Sequence, residues 1–274
     1  MSNTYQIYLI SDSTGETLDR IFLALKAQFN NFHYKTNHFS FTRTENQIQK
    51  ILENCKKQKK TIILYTIVDE KLSNFLKKQS MKNNIPCYGL LGDLIDSFSK
   101  LLNQNALNVP SRQHIMNDEY YKKIDAIQFT MNHDDGNAIG DIEQSDIILI
   151  GVSRTSKTPT SIYLANKGYK VSNIPIVNKN SIPENIKRNK SKKCIIGLIA
   201  EPERLAEIRK NRMTSLKETG NQKYTNLRKI QDEVESSRNT FIKFKWPTID
   251  VSRKSVEETA ASVIKIYEIS RKNA

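Results

Sequence analysis

The sequence predicts an α/β protein built from two domains with parallel sheets. Short runs of apolar, mainly β-branched residues alternate with longer segments of helical periodicity, and this alternation is typical of α/β folds. A polar stretch with several Asn residues and a Pro, at 103–117, interrupts the alternation and indicates a linker. We therefore predict an N-terminal parallel-sheet (Rossmann-like) domain over 1–105 and a second α/β domain over 106–274.

The first domain is predicted to contain four strand–helix units. Strands are expected at 6–10, 38–41, 61–67 and 87–91, and helices at 16–29, 45–56, 70–83 and 93–102. The first helix has the clearest amphipathic pattern, with one predicted apolar face formed by Leu18, Ile21, Phe22, Leu25 and Phe29.

The second domain begins with a predicted helix at 118–131. It continues with a strand at 147–150, a helix at 158–167, strands at 171–177 and 194–199, a helix at 202–212, a strand at 248–251 and a helix at 255–270. The segment 213–245 is polar and charged, which predicts either one or two exposed helices or a mobile lid. We place the candidate lid at 204–245.

Composition excludes several classes of protein. The formal net charge of +14 is compatible with a nucleic-acid partner. No known nucleic-acid-binding signature accompanies it, so we expect no nucleic acid among the partners. No run of apolar residues is long enough for a membrane span, and no signal peptide is recognised. Three widely spaced cysteines predict buried free thiols rather than disulfides or zinc ligands. These features predict a cytoplasmic protein, and a homodimer remains open.

A phosphate-binding loop is indicated directly after the strand at 147–150. The chain then follows the P-loop pattern G-x-x-x-x-G-K-[ST], with Ser in place of the second Gly, and a helical pattern follows. Backbone N–H groups of such a loop bind phosphates, its lysine reaches the terminal phosphate, and its threonine can hold Mg²⁺. We therefore predict a P-loop kinase-like domain whose nucleotide site, with Thr158 as the metal ligand, is formed by Gly151, Val152, Ser153, Arg154, Thr155, Ser156, Lys157 and Thr158.

A second motif, His133-Asp134-Asp135-Gly136, follows the helix at 118–131. Adjacent carboxylates can hold Mg²⁺ or take a proton from a hydroxyl acceptor. Asp-Gly also ends helices routinely, so a purely structural turn is an equal alternative. Together with two residues of the phosphate loop, this motif gives the predicted catalytic residues, which are His133, Asp134, Asp135, Arg154 and Lys157.

A further polar cluster opens the first helix. Capping by Ser13 or Thr14, with Glu16 or Thr17 near the third helical position, explains part of it. However, ligands of open α/β sheets bind at the carboxyl ends of strands. We therefore keep a second candidate site formed by Ser11, Asp12, Ser13, Thr14, Gly15 and Glu16.

Two weaker signals remain in the second domain. Arg204, Arg209 and Arg212 would share one side of a helix, where they could clamp phosphates, although a solvated basic face is the favoured interpretation. The segment Asn178-Lys179-Asn180-Ser181 is similar to the guanine-reading N-K-x-D motif but lacks its Asp, which disfavours a GTPase.

In this order, these motifs resemble the bifunctional regulatory proteins of pyruvate, phosphate dikinase and of phosphoenolpyruvate synthase. The resemblance covers nearly the whole chain. Besides the segments above, it includes Asn173-Ile174-Pro175, the run from Arg204 to Arg209, Ile249-Asp250-Val251 and the run from Glu257 to Ala260.

The resemblance implies an activity that residue spacing alone does not show. Such proteins use ADP to phosphorylate a Thr next to the catalytic His of the dikinase, which inactivates it. They reverse this with inorganic phosphate as co-substrate, and pyrophosphate leaves. The resemblance implies that the loop from Gly151 to Thr158 binds ADP. It favours the dikinase slightly over phosphoenolpyruvate synthase as the target.

Two other functions stay open at this point. An ATP-dependent small-molecule or nucleoside monophosphate kinase would explain the P-loop and the lid, but not the first domain. A nucleic-acid-binding protein would explain only the charge. The preference for ADP or ATP, and for a protein or a metabolite as acceptor, distinguishes the first alternative from the regulatory protein.

Overall fold

The computed structural model describes residues 4–114, 116–136, 139–177, 181–188, 193–216 and 222–272. The chain divides into two compact units, Met1–Ile115 and Met116–Ala274. Each unit has one four-stranded sheet in which every strand pair is parallel. The predicted α/β class is therefore confirmed, with two parallel sheets.

In the first unit, strands and helices alternate regularly. The elements are β1 Tyr5–Ser11, α1 Glu16–Lys26, β2 Tyr34–Phe39, α2 Glu45–Lys56, β3 Thr61–Thr66, α3 Glu70–Lys82, β4 Cys87–Gly89 and α4 Gly92–Leu102, followed by a short 3-10 turn at Arg112–His114. The strand order is β2-β1-β3-β4. Apolar side chains cover both faces of this sheet, with α2 and α3 on one face and α1 on the other.

Two details of the first unit differ from the sequence prediction. Strand β2 begins at Tyr34, four residues before the predicted start at 38. Its middle residues are polar, because β2 is an edge strand and several of its side chains face solvent, so hydrophobicity does not reveal it. Helix α1 ends at Lys26, and only Leu18 and Phe22 of the predicted apolar face are buried.

The second unit repeats this arrangement after an initial helix. The elements are α5 Asp118–Asn132, 3-10 turns at Asp134–Gly136 and Ile139–Gln144, β5 Ile147–Gly151, α6 Lys157–Ala165, β6 Val171–Pro175, α7 Glu184–Arg188, β7 Cys194–Ile199, α8 Pro202–Leu216, α9 Gln222–Thr225, α10 Leu227–Lys243, β8 Thr248–Asp250 and α11 Val256–Lys272. The strand order is β6-β5-β7-β8. Both sheets thus place their first strand second in the sheet, with the next strand of the chain on one side and the third strand on the other.

Helix α10 is the largest departure from the expected exposed helices. Its residues Ile230, Val234 and Phe241 are buried and spaced as one helical face. Phe241 packs so closely on β7 that a Cβ at Gly197 would lie 2.5 Å from its ring. The end of the segment predicted as a lid therefore belongs to the core, whereas residues 217–221 lie outside the described part of the chain.

Three further expectations concern cysteines, charge clusters and membranes. Cys55 and Cys194 are buried and Cys87 is half-buried, and all three are free thiols. The sequence also carries a basic cluster at 187–193, for which a solvated loop is expected. Its first two residues lie in helix α7 instead, and 189–192 lie outside the described residues, as do 178–180 of the N-K-x-D-like segment. Among the described helices, none is both long and apolar enough to cross a bilayer.

Candidate functional site

The phosphate loop starts from the most buried strand of the second unit. All five residues of β5 are buried, and Gly151 at its end leaves no room for a side chain. A Cβ there would lie 2.6 Å from the backbone oxygen of Leu198 and 2.8 Å from Oγ1 of Thr155. Thr155 is fully buried, and its hydroxyl donates to the Val152 carbonyl oxygen at 3.0 Å. This hydrogen bond stabilises the turn. Glycine is thus required at position 151 by close packing.

The loop backbone has the alternation that forms an anion-binding concavity. Arg154 and Ser156 adopt left-handed conformations, with φ of 73° and 57°, on either side of Thr155. Helix α6 begins at the next residue, Lys157, and the Ser156 side chain makes no capping hydrogen bond to it. Backbone N–H groups at such a turn and at a helix N-terminus attract anions. This backbone geometry is compatible with the predicted phosphate seat, which stays a prediction.

Lys157 lies inside this loop rather than in solvent. Its side chain is buried, and Nζ donates to the Val152 carbonyl oxygen at 2.9 Å. Burial lowers the pKa of Lys157 to about 8, the charges of Asp135 and Asp134 oppose this effect, and those of Arg154 and Arg209 add to it. An arriving phosphate would replace a neutral carbonyl with a negatively charged partner for this ammonium group.

Asp134 belongs to a polar cluster at the start of α6. Thr158 Oγ1 donates to the Asp134 carboxylate, at 3.0 Å from Oδ1 and 3.2 Å from Oδ2, and the Asn173 side-chain amide donates to Oδ1 as well. Asn173 also donates to Thr158 Oγ1 at 3.1 Å, while its own Oδ1 is buried and has no hydrogen-bond partner among the described residues. Three oxygen-bearing side chains therefore meet beside the loop.

This cluster has the chemistry of a magnesium site. Mg²⁺ usually binds through one or two carboxylates together with substrate phosphates and waters. Asp134 and Thr158 present hard oxygen atoms next to the predicted phosphate seat, so they fit that ion, whereas Asn173 donates to both of them and orients them. Within the described residues no group of three or more His, Cys, Asp or Glu could hold a metal by itself. Asn173 appeared in the sequence only as part of a motif and was not predicted as a site residue.

The neighbouring Asp135 and His133 have opposite environments. Asp135 is exposed and has a left-handed φ of 51°. Of the acidic residues near Lys157, it raises the pKa of that lysine most. The His133 ring is buried and stacks on Phe129 with 3.8 Å between centroids, and Nδ1 lies 2.8 Å from the Phe129 carbonyl. The His133 carbonyl accepts from the Asn173 N–H at 3.0 Å. His133 therefore holds the turn in place, and Asp135 presents its carboxylate to solvent near the loop.

The three arginines predicted on one helical side do not act together. Arg204 is exposed and pairs with Glu207 at 2.6 Å, and Arg212 is also exposed. Arg209 is 1% exposed, pairs with Glu233 at 2.7 Å, and donates to the backbone oxygen of Ser153 at 3.3 Å. A shared clamp is absent from this arrangement, but Arg209 supports the phosphate loop directly.

The second candidate site lies at the corresponding place in the first unit. Ser11 is the last residue of β1, and Asp12 and Ser13 follow it. All three are buried, and they line a cavity of about 160 Å³ together with Thr66 and residues of the segment 109–113. The Asp12 carboxylate accepts from Val68 N–H at 2.7 Å, and burial raises its pKa.

The start of α1 corrects the expected cap. The N-cap residue is Gly15, with a φ of 90°, rather than Ser13 or Thr14, and Glu16 pairs with Arg20 on the surface at 2.9 Å. Ser13 instead accepts a hydrogen bond from Ser111 at 3.0 Å. The hydroxyl groups of this segment therefore line the cavity or bond to neighbours, and they do not cap the helix.

Comparison with known proteins finds relatives along nearly the whole chain. The model of the family described as kinase/pyrophosphorylase matches residues 7–264. A protein of Pelagibacter ubique (strain HTCC1062) named "Putative pyruvate, phosphate dikinase regulatory protein" is 63% identical over 273 residues, which is 100% of both chains. Proteins of the same name from Brucella anthropi and Sinorhizobium medicae are 41% and 40% identical, over 95% and 96% of this chain and 94% and 96% of theirs.

Proposed function

Because the chain belongs to the kinase/pyrophosphorylase family, we propose that it is a bifunctional Ser/Thr kinase and phosphorylase that regulates pyruvate, phosphate dikinase. In this proposal the second unit is a P-loop kinase-like domain that uses ADP to phosphorylate, and so inactivate, the dikinase. The same site uses inorganic phosphate to remove that phosphoryl group and release pyrophosphate. The names of the relatives support the target.

The observation that carries the chemistry is the phosphate loop with Lys157 inside it and two carboxylates beside it. In the forward reaction, a Thr oxygen of the target bonds to the β-phosphorus of ADP. The bond from that phosphorus to the bridging oxygen breaks, and AMP leaves. In the reverse reaction, an oxygen of inorganic phosphate bonds to the phosphothreonine phosphorus, the bond to the Thr oxygen breaks, and pyrophosphate leaves.

The surroundings of the two carboxylates support different roles for them. Asp134 is already engaged with Thr158 and Asn173, so it is suited to hold Mg²⁺ with the loop threonine. Asp135 is exposed close to Lys157, so it is suited to take the proton of the acceptor hydroxyl. In the reverse direction the same carboxyl group returns the proton to the departing Thr oxygen. General acid–base catalysis of this kind contributes about 10²–10⁴-fold to a rate.

The test uses ADP labelled at the β-phosphate, purified dikinase and this protein. We expect label on a Thr of the dikinase, release of labelled pyrophosphate when phosphate is added, and loss of both reactions by about 10²-fold or more in Asp135→Asn. Asp141→Asn, an exposed carboxylate elsewhere in the second unit, is the matched control and should leave both reactions unchanged.

The alternatives predict different products in the same assay. Labelling of phosphoenolpyruvate synthase but not of the dikinase would move the activity to that target. Transfer from γ-labelled ATP to a small molecule, with no labelled protein, would overturn the proposal in favour of a metabolite kinase.

A further inference from the structure

One side chain outside the phosphate loop bonds to two consecutive loop residues. The hydroxyl of Tyr224, on α9, lies 3.1 Å from Ser153 Oγ and accepts a hydrogen bond from Arg154 Nε at 3.1 Å. Both partners belong to the half of the loop that precedes Lys157. Tyr224 therefore restrains the part of the loop that borders the phosphate seat.

Arg209 in turn holds Tyr224. Its guanidinium carbon lies 4.8 Å from the centre of the Tyr224 ring, and Nη1 donates to the Tyr224 backbone oxygen at 3.3 Å. Nη2 donates to the Ser153 backbone oxygen and to Glu233. A buried charge is costly unless it keeps its partners, so Arg209 fixes the ring of Tyr224 and the loop backbone in one arrangement.

The residue positioned by this arrangement is Arg154. Its backbone is left-handed, a conformation that is strained for a residue with a side chain. Within the described part of the chain, Tyr224 is the hydrogen-bond partner of its side chain, which binds through Nε and leaves the two Nη groups available. The charge of Arg154 also lowers the pKa of Lys157, which indicates that the two cations lie near each other at the loop.

We propose that Tyr224 is a specificity-determining residue that sets the preference for a diphosphate over a triphosphate nucleotide. By fixing Nε, its hydroxyl keeps the Arg154 guanidinium at the mouth of the loop, where it binds a terminal phosphate together with Lys157 and obstructs a third phosphate. The same fixed guanidinium can also bind inorganic phosphate, because this ion would occupy the position of the terminal phosphate of ADP. This inference rests on the proposed use of ADP and names the residue that enforces it.

Calorimetric titration of the full chain with ADP, ATP and inorganic phosphate tests the inference. Tyr224→Phe keeps the ring on Arg209 and removes only the hydroxyl. Losing one hydrogen bond to a charged group should reduce the ratio of ADP to ATP affinity by about three- to tenfold. Tyr163→Phe is the control, because Tyr163 is half-buried in the same unit and also carries a cation, Lys167, over its ring. The control ratio should equal that of the unchanged protein.

Arg154→Gly distinguishes positioning through arginine from a direct effect of the tyrosine. We expect Arg154→Gly to lower the ratio of ADP to ATP affinity at least as far as Tyr224→Phe does. Adding Tyr224→Phe to Arg154→Gly should then have no further effect on this ratio. A wild-type preference for ADP that Tyr224→Phe leaves intact would overturn this inference alone. A wild-type protein that binds ATP as well as ADP would overturn the proposed ADP-dependent function as well.

Discussion

Replacing Lys157 by methionine should stabilise the protein while it abolishes activity. The lysine is 5% exposed, and its pKa falls from 10.5 to about 8 because burial disfavours the charged form. At about 1.4 kcal/mol per pH unit, this depression corresponds to a cost of about 3 kcal/mol for keeping the charge buried at pH 7. Loss of the hydrogen bond to the Val152 carbonyl offsets about 1–2 kcal/mol of the gain. We expect a net gain of about 1–2 kcal/mol in the free energy of unfolding.

The lowered pKa of Lys157 also determines how the stability difference between the variant and the wild type changes with pH. Between pH 8 and 10.5 the folded wild type binds fewer protons at Lys157 than the unfolded chain does, so its stability rises with pH across that window. Below pH 8 both states are protonated and the cost is fully present. The advantage of Lys157→Met should therefore be largest at pH 7 and should shrink or vanish near pH 10.

The assay is urea unfolding followed by tryptophan fluorescence. Trp246 is the single tryptophan of the sequence and is buried in the second unit, so its signal reports on the unit that contains the loop. Lys265→Met, which changes an exposed lysine of α11 in the same unit, is the control and should not change stability. Both reactions should fall by about 10²–10³-fold or more in Lys157→Met. A variant that is less stable than wild type at pH 7, or a difference that stays the same at pH 10, would refute the reasoning.

Further substitutions test the proposed magnesium site at Asp134 and Thr158 and the packing of the second sheet. Thr158→Val removes the hydroxyl bonded to Asp134 but keeps the shape, so we expect a weaker dependence of ADP binding on Mg²⁺, measured by titrating the ion; unchanged dependence would remove Thr158 from the metal site. Gly197→Ala places a Cβ 2.5 Å from the Phe241 ring and should destabilise the second unit by about 1–3 kcal/mol in urea unfolding. Adding Phe241→Leu should cost less in that background than in wild type, and simple additivity of the two changes would contradict the contact.

Local sequence patterns predict the elements that depend on local chemistry. Helix α2 was predicted at 45–56 and occupies those residues, because its apolar face is regular and Thr44 forms a capping box with Gln47. Strand β7 likewise matches the prediction at 194–199, since all of its residues are apolar or small and buried. In α2 the period of the hydrophobic residues agrees with the end signal, and in β7 the continuous buried run alone marks the strand.

The features missed by the sequence depend on contacts between distant residues. The Tyr224 hydroxyl bonds to Ser153, 71 positions away, and Arg209 bonds to a backbone oxygen 56 positions away. Helical periodicity groups Arg209 with Arg204 but cannot show that only one of them is buried. The sequence does not predict Asn173 as a site residue for a similar reason. Its position beside the loop depends on strand β6 lying next to β5 in the sheet. No local pattern contains that information.

The two units share a strand order but differ in the charges at the loop that follows the first strand. In each sheet the first strand lies between the second and third, so the loop that follows it opens at the point where the connections diverge to opposite sides. The first unit places Asp12 and serine hydroxyls at that point, with burial raising the pKa of the carboxyl group. The second places Lys157 there, with Arg154 and Arg209 near enough to lower its pKa further. Because a buried ammonium group without an anionic ligand is unfavourable and a bound phosphate relieves that cost, the second loop is the one that gains most from a phosphate. The cations at the second loop therefore favour the predicted phosphate seat there.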